Sequence, residues 1–229
     1  MKNKAIQHVF FDLDHTLWDF DKNSALTFDK IFKLHKVGVN LDSFLKVYEP
    51  VNLQYWKRYR NEEIDKIELR YGRLRDTFDE INFSVEDGLI HNLSTDYIEH
   101  LSSFSHLFEG TLDVLQYLQP KYQLHIITNG FEEAQLKKMD SSAITSFFKT
   151  ITNAEVAGVK KPNPIIFDYA LKIAKAEPNE SIMIGDNYEA DILGALNVGY
   201  DAIFFNYRND ETEPHIKQIK HLSQLKQYL

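Results

Sequence analysis

Four short stretches of the chain are apolar at nearly every position: HVFF at 8–11, LHIIT at 124–128, SIMIG at 181–185 and DAIFF at 201–205. Continuous apolar runs of four or five residues fit strands covered on both faces, as in a parallel sheet. A weaker run of the same kind, KTITN, lies at 149–153. Between them the pattern changes to helical spacing, over 111–119, 131–139, 164–175 and 188–197. Strands alternating with helices predict an α/β fold, a doubly wound Rossmann-like parallel sheet.

Residues 22–105 break that alternation. They carry helical periodicity, many aromatic and charged residues, and no strand-like run. Four helices are expected there, with Pro50 as a break or a helix start. An insertion leaving from the end of the first strand emerges beside the edge where α/β folds bind ligands, which suggests an α-helical cap. The last stretch, HIKQIKHLSQLKQYL, has the periodicity of an ordinary C-terminal helix.

Ligands of open α/β sheets bind at the carboxyl ends of the strands, so the residues there matter most. Asp12, Leu13, Asp14, His15 and Thr16 follow the first run; Thr128, Asn129 and Gly130 follow the second. Gly185, Asp186 and Asn187 follow the third, with Asp191 further on, and Lys160 and Lys161 precede it in GVKKPNP. If the strands are neighbours, several carboxylates, a hydroxyl, an amide and a lysine converge. Clustered carboxylates raise one another's pKa values unless a cation joins them. Oxygen-only ligands in a small site point to Mg2+ rather than Zn2+.

Composition narrows the classes. The chain has 229 residues, 43% hydrophobic, enough for a sizeable core. A formal charge of -8 disfavours a nucleic-acid polymer as main partner. The absence of cysteine removes thiol nucleophiles, thiolate metal sites and disulfides, which fits a cytoplasmic address. Asp12 ends the N-terminal apolar run too soon for a signal peptide, and no stretch approaches the roughly 20 apolar residues of a membrane span.

The segments DLDHT, TNG, KKP and GDNYEAD, in that order, resemble the four motifs of the haloacid dehalogenase-like (HAD) hydrolase superfamily. The resemblance runs from residue 8 to about 205 and implies a core domain at 1–15 and 106–229 with a cap domain at 16–105. It implies that Asp12 is a nucleophile forming an aspartyl-phosphate and that Asp14 is the general acid and base. Thr128 and Asn129 would bind phosphate oxygens, aided by backbone N–H groups of the helix opening near Phe131. Lys161, the lysine directly before proline, would neutralise nucleophile and phosphate; Lys160 reads as a solvated charge and His15 as a spacer or local hydrogen bonder. Mg2+ would be held by Asp12, Asp186 and the Asp14 backbone carbonyl, with Asp191 in support.

Having both Asp14 and Asp186 favours phosphate chemistry over a 2-haloacid dehalogenase. FFDLDHTLWDFDKNS, TNGF, VAGVKKPNPIIFDYAL and the insert stretch ELRYGRLRDTF are similar to the pyrimidine 5′-nucleotidase branch of the superfamily. That implies a small phosphomonoester substrate, a nucleoside monophosphate such as UMP. Tyr55, Trp56 or Tyr71 would stack the base, and Arg70, Arg73 or Arg75 would reach its polar edges. A sugar-phosphate phosphatase, a phosphomutase and a non-catalytic binding module are the alternatives.

Overall fold

A computed structural model describes residues 5–229; Lys2 and Lys4 of the N-terminal stretch lie outside them. Strand β1 (His8–Phe11) is followed by four helices, α1 (Phe20–Leu34), α2 (Leu41–Arg60), α3 (Lys66–Glu80) and α4 (Asp87–Leu101). Then come α5 (Thr111–Leu118), β2 (Gln123–Thr128), α6 (Glu132–Ser141), β3 (Phe148–Asn153) and α7 (Ala154–Ala157). The chain continues through α8 (Pro164–Ala174), β4 (Ser181–Gly185), a π-helical turn (Tyr188–Leu193), α9 (Gly194–Asn197), β5 (Asp201–Phe205) and β6 (Gln218–Ile219). The weak KTITN run is therefore a strand. Among the described residues no helix is long and apolar enough to cross a membrane.

The chain divides into two compact units, residues 1–19 with 105–229, and residues 20–104. The first holds one parallel sheet in the order β3-β2-β1-β4-β5-β6. Successive strands step to one side of β1 and then, after β3, to the other. The topological switch point therefore falls between β1 and β4. Phe11 is level with Ile126 on one side and Ile184 on the other, so the residues just past these strands emerge together. Apolar residues of α8 (Ile166, Phe167, Ala170) pack with Phe10, Ile127 and Met183 beneath that edge.

Two expected boundaries shift. Residues 16–19 belong to the α/β unit rather than the insert, because Thr16, Leu17 and Trp18 are fully buried. The Leu17 carbonyl there accepts from the Phe108 N–H (3.0 Å), and the Asp19 N–H donates to the His106 carbonyl (3.0 Å). The tail is not an ordinary α-helix: it forms β6 and then a 3-10 helix over Leu222–Gln227. The buried positions of that 3-10 helix are Leu222 and Leu225, three residues apart as its period requires.

The second unit is helical. Phe28, Phe32, Phe44, Tyr48, Phe78 and Tyr97 form its aromatic centre, all buried. Pro50 neither breaks nor starts a helix but lies inside α2. Its missing N–H removes one helical bond, while buried Phe44, Tyr48, Val51 and Tyr55 anchor the helix on both sides of it. Several residues expected to meet a base are committed within this unit instead. Arg73 is buried, donates to Asn52 Oδ1 at 2.8 Å and lies over the Tyr48 and Tyr97 rings. Tyr55 is buried against Gly72, with its hydroxyl donating to Asp76 at 2.7 Å. Tyr71 donates to Asp87 (2.6 Å), and Arg75 pairs with Asp79 (2.5 Å).

Candidate active site at the carboxyl edge of the sheet

Beyond Phe11 the chain reverses tightly. The Leu13 carbonyl accepts from the N–H groups of Leu17 and Trp18 (3.0 and 2.9 Å), and His15 takes a left-handed φ of 62°. Leu13 is fully buried, so Asp12 and Asp14 flank an inward-pointing anchor. The Asp12 N–H donates to the Ile184 carbonyl at 2.9 Å, which continues the sheet by one residue and fixes the start of the loop.

Asp12, Asp186 and Asp191 come together: one carboxylate oxygen from each lies within 4.8 Å of the others. Asp191 reaches the group from the π-helical turn. Its Oδ2 accepts the Asn187 N–H at 3.0 Å and lies so close to Gly185 that a Cβ there would collide with it. This close approach explains a glycine at the end of β4.

Lys161 is the cation inside the cluster. Its side chain is 2% exposed, and Nζ lies 2.5 Å from Asp12 Oδ1, 2.6 Å from Asp191 Oδ1 and 2.7 Å from the Ile127 carbonyl. Burial alone would lower its pKa, but the Asp12 and Asp191 carboxylates outweigh burial and keep it charged. Arg208, from the segment after β5, places Nη1 3.0 Å from Asp186 Oδ2 and Nη2 2.8 Å from His15 Nδ1. The Tyr207 hydroxyl lies 3.1 Å from the same His15 nitrogen, so the His15 ring bonds to the segment after β5 rather than to its own loop.

Burial, with the neighbouring Asp191 and Asp186, pushes Asp12 well up against the opposing pull of Lys161. Burial and Asp191 likewise hold Asp186 at about 6, despite His15, Arg208 and Lys161. Elevated carboxylates packed this closely are the mark of a site short of positive charge. The donors are all oxygens, so a hard dication suits them.

The remaining expected residues divide. Thr128 is buried; its hydroxyl oxygen accepts from the Gly130 N–H (3.1 Å) and from Gln135 Nε2 (2.7 Å), leaving its proton to donate. Asn129 has a different task from the one expected. Its Oδ1 accepts the Lys161 N–H at 2.7 Å and its Nδ2 donates to the Lys161 carbonyl at 3.0 Å, so its amide clamps the lysine's backbone. The opening of α6 is also less available to an anion than expected, because the Glu132 N–H already donates to Glu155 Oε2 at 2.8 Å. Asp14 lies outside the carboxylate cluster. Lys138 Nζ holds its two oxygens at 2.7 and 2.9 Å, and Gln135 Nε2 adds a third contact at 3.0 Å.

Gln135, Lys138 and Arg208 were missed by sequence reasoning. For the first two a signal existed: they share a helix face with Phe131 and Met139, so polar residues stand where core residues are expected. Arg208 gave none, lying in a polar segment between strands.

Comparison with known proteins agrees with this geometry. The family profile described as haloacid dehalogenase-like hydrolase matches residues 6–199. The Escherichia coli pyrimidine 5′-nucleotidase YjjG is 32% identical over 205 residues, covering 89% of this chain and 87% of the relative. A glyceraldehyde 3-phosphate phosphatase from Methanothermobacter thermautotrophicus is 30% identical, covering 98% of this chain and all of the relative's length (100%). The crystal structure of the Bacillus subtilis HAD-hydrolase YfnB, bound to magnesium, superposes with a TM-score of 0.88 at 26% identity over 99% of both chains.

Proposed function

Because the chain belongs to the haloacid dehalogenase-like hydrolases, we propose that it is a Mg2+-dependent phosphatase acting on a small phosphomonoester through an aspartyl-phosphate on Asp12. The observation that carries this reading is the Asp12 carboxylate, held by Lys161 at 2.5 Å at the carboxyl end of β1, with Asp186 and Asp191 beside it. Asp12 and Asp186, with the Asp14 backbone carbonyl, would hold Mg2+, supported by Asp191; the cation would supply charge neutralisation for the phosphoryl oxygens. An Asp12 oxygen attacks phosphorus and the ester P–O bond breaks, while Asp14 gives its proton to the departing oxygen. Asp14 then takes a proton from water, which attacks the aspartyl-phosphate, breaks its P–O bond to Asp12 and releases phosphate. The Thr128 hydroxyl donates to a phosphoryl oxygen, and the Lys161 charge, held beside Asp12, offsets part of the charge that builds there.

A pyrimidine nucleoside monophosphate is the proposed substrate, supported by the similarity to YjjG. The matching length of the glyceraldehyde 3-phosphate phosphatase favours a sugar or triose phosphate as the second reading. The insert is assigned the role of a cap, since the chain enters it directly after the loop bearing Asp12 and Asp14. Phosphate release from a panel of phosphomonoesters, with Mg2+ and with chelator, tests the activity and ranks the substrates. Asp12→Asn is expected to lose turnover while melting as a folded protein; wild-type turnover by that variant refutes the assigned nucleophile.

A further inference from the structure

Helix α6 carries two buried polar side chains that the chemistry above leaves without a role. Gln135 and Lys138 lie three residues apart on one face, 1% and 3% exposed. The Lys138 ammonium grips both oxygens of Asp14 and rests 4.6 Å from the centre of the Trp18 ring. Gln135 Nε2 bridges Asp14 Oδ2 and the Thr128 hydroxyl, and Gly130 makes room for it, since a Cβ there would collide with the Gln135 side chain. Burying a lysine over an indole is costly unless its charge is paired. The pairing is with the one carboxylate of the motif loop that stays out of the Asp12–Asp186–Asp191 cluster. Without these donors Asp14, about one-fifth exposed at its side chain, would be free to swing among rotamers.

From this geometry we infer that Lys138 and Gln135 are positioning residues for proton transfer by Asp14: they fix its carboxylate in one orientation and tie it to the phosphate-binding Thr128. The inference rests on the acid–base reading of Asp14. A scaffold salt bridge joining α6 to the loop would use the same contacts, so the test must read proton delivery to the leaving group itself. kcat/KM covers the steps through loss of that group. A 4-nitrophenolate leaves without a proton, whereas an alkoxide needs one.

The experiment compares kcat/KM, with saturating Mg2+, for 4-nitrophenyl phosphate and for the alkyl phosphate that wild type turns over fastest. Asp14→Asn sets the ceiling and is expected to lose about 100-fold or more on the alkyl ester and far less on the aryl ester. Lys138→Met is expected to lose about 10- to 100-fold on the alkyl ester, a part of the acid–base contribution, and less than about threefold on the aryl ester. Lys138→Arg should recover part of the alkyl activity, because a guanidinium also grips two carboxylate oxygens. Should Lys138→Met fail to fold, Gln135→Met is expected to show the same selectivity at smaller amplitude. Equal losses on both esters, or no loss on either, overturn the positioning role. If Asp14→Asn discriminates between the esters and the α6 variants do not, this inference alone fails. If Asp14→Asn does not discriminate, the acid–base reading falls and takes the inference with it.

Discussion

Replacing Lys161 with methionine keeps most of the side chain's volume and removes its charge. The structure sets the size of the effect. Wild-type Nζ satisfies Asp12, Asp191 and the Ile127 carbonyl at 2.5–2.7 Å, in a place where the lysine side chain is 2% exposed. Without it two buried carboxylates face a third, Asp186, and a buried carbonyl loses its donor. Removing one partner of a buried ion pair costs about 3–5 kcal/mol. At about 2–4 °C per kcal/mol for a chain of this size, the melting temperature in chelator at pH 8 should fall by about 6–20 °C. The carboxylates can escape part of this cost by binding protons. A carboxyl whose folded pKa is raised contributes stability that is fully present below its unfolded value, near 4, and lost as pH rises through the folded value. The gap between variant and wild type should therefore be small near pH 5 and widest near pH 8. Thermal unfolding followed by circular dichroism across that range measures it. A variant melting within about 2 °C of wild type at pH 8, or a gap that widens toward acid, would refute the electrostatic account of this cluster.

A second pH effect comes from the sheet interior. Burial, with His8 beside it, lowers His125 to about 4, so the pair is neutral in the folded chain. A depressed histidine contributes stability present above its unfolded value near 6.5 and lost as pH falls through the folded one, here about 3 kcal/mol in all. His125→Phe should flatten the stability profile between pH 6.5 and 4; an unchanged slope refutes this source. Mg2+ affinity, measured by calorimetry, should fall at least about tenfold per pH unit below about 6, where protons compete for Asp186 and Asp12; constant affinity from pH 7 to 5 refutes these carboxylates as ligands. Inorganic phosphate should raise the melting temperature only when Mg2+ is present, and an equal shift in chelator would show that the site needs no cation to take an anion.

The α/β core was legible because its strands are covered on both faces and so appear as unbroken apolar runs. The motif residues follow those runs directly, and parallel register brings the residues past Phe11 and Ile184 to one edge. What was hidden depended on distance along the chain. Asn129 looks like a phosphate ligand, yet its amide is complementary to a backbone 32 residues away. The Glu132 N–H looks free until Glu155 arrives from beyond β3. Tyr55 and Arg73 read as exposed ligands for a base, but the insert's aromatic centre uses them itself.

The charges around the cluster explain why its parts belong together. Asp12, Asp186 and Asp191 bring three negative charges, and Lys161 and Arg208 bring two positive ones, leaving a balance of about −1. Asp14 and Lys138 lie outside this cluster and are not counted in it. A phosphate dianion would be repelled by these residues alone. Around a dication the same residues total about +1, and attraction replaces repulsion. Lys161 cannot fill that need, because its three contacts already spend its hydrogens on Asp12, Asp191 and a carbonyl. It holds Asp12 in place while leaving the cluster one carboxylate in excess. The excess is thus a property of the fold: Gly185, by lacking a Cβ, lets Asp191 close against the site and keeps the third carboxylate there.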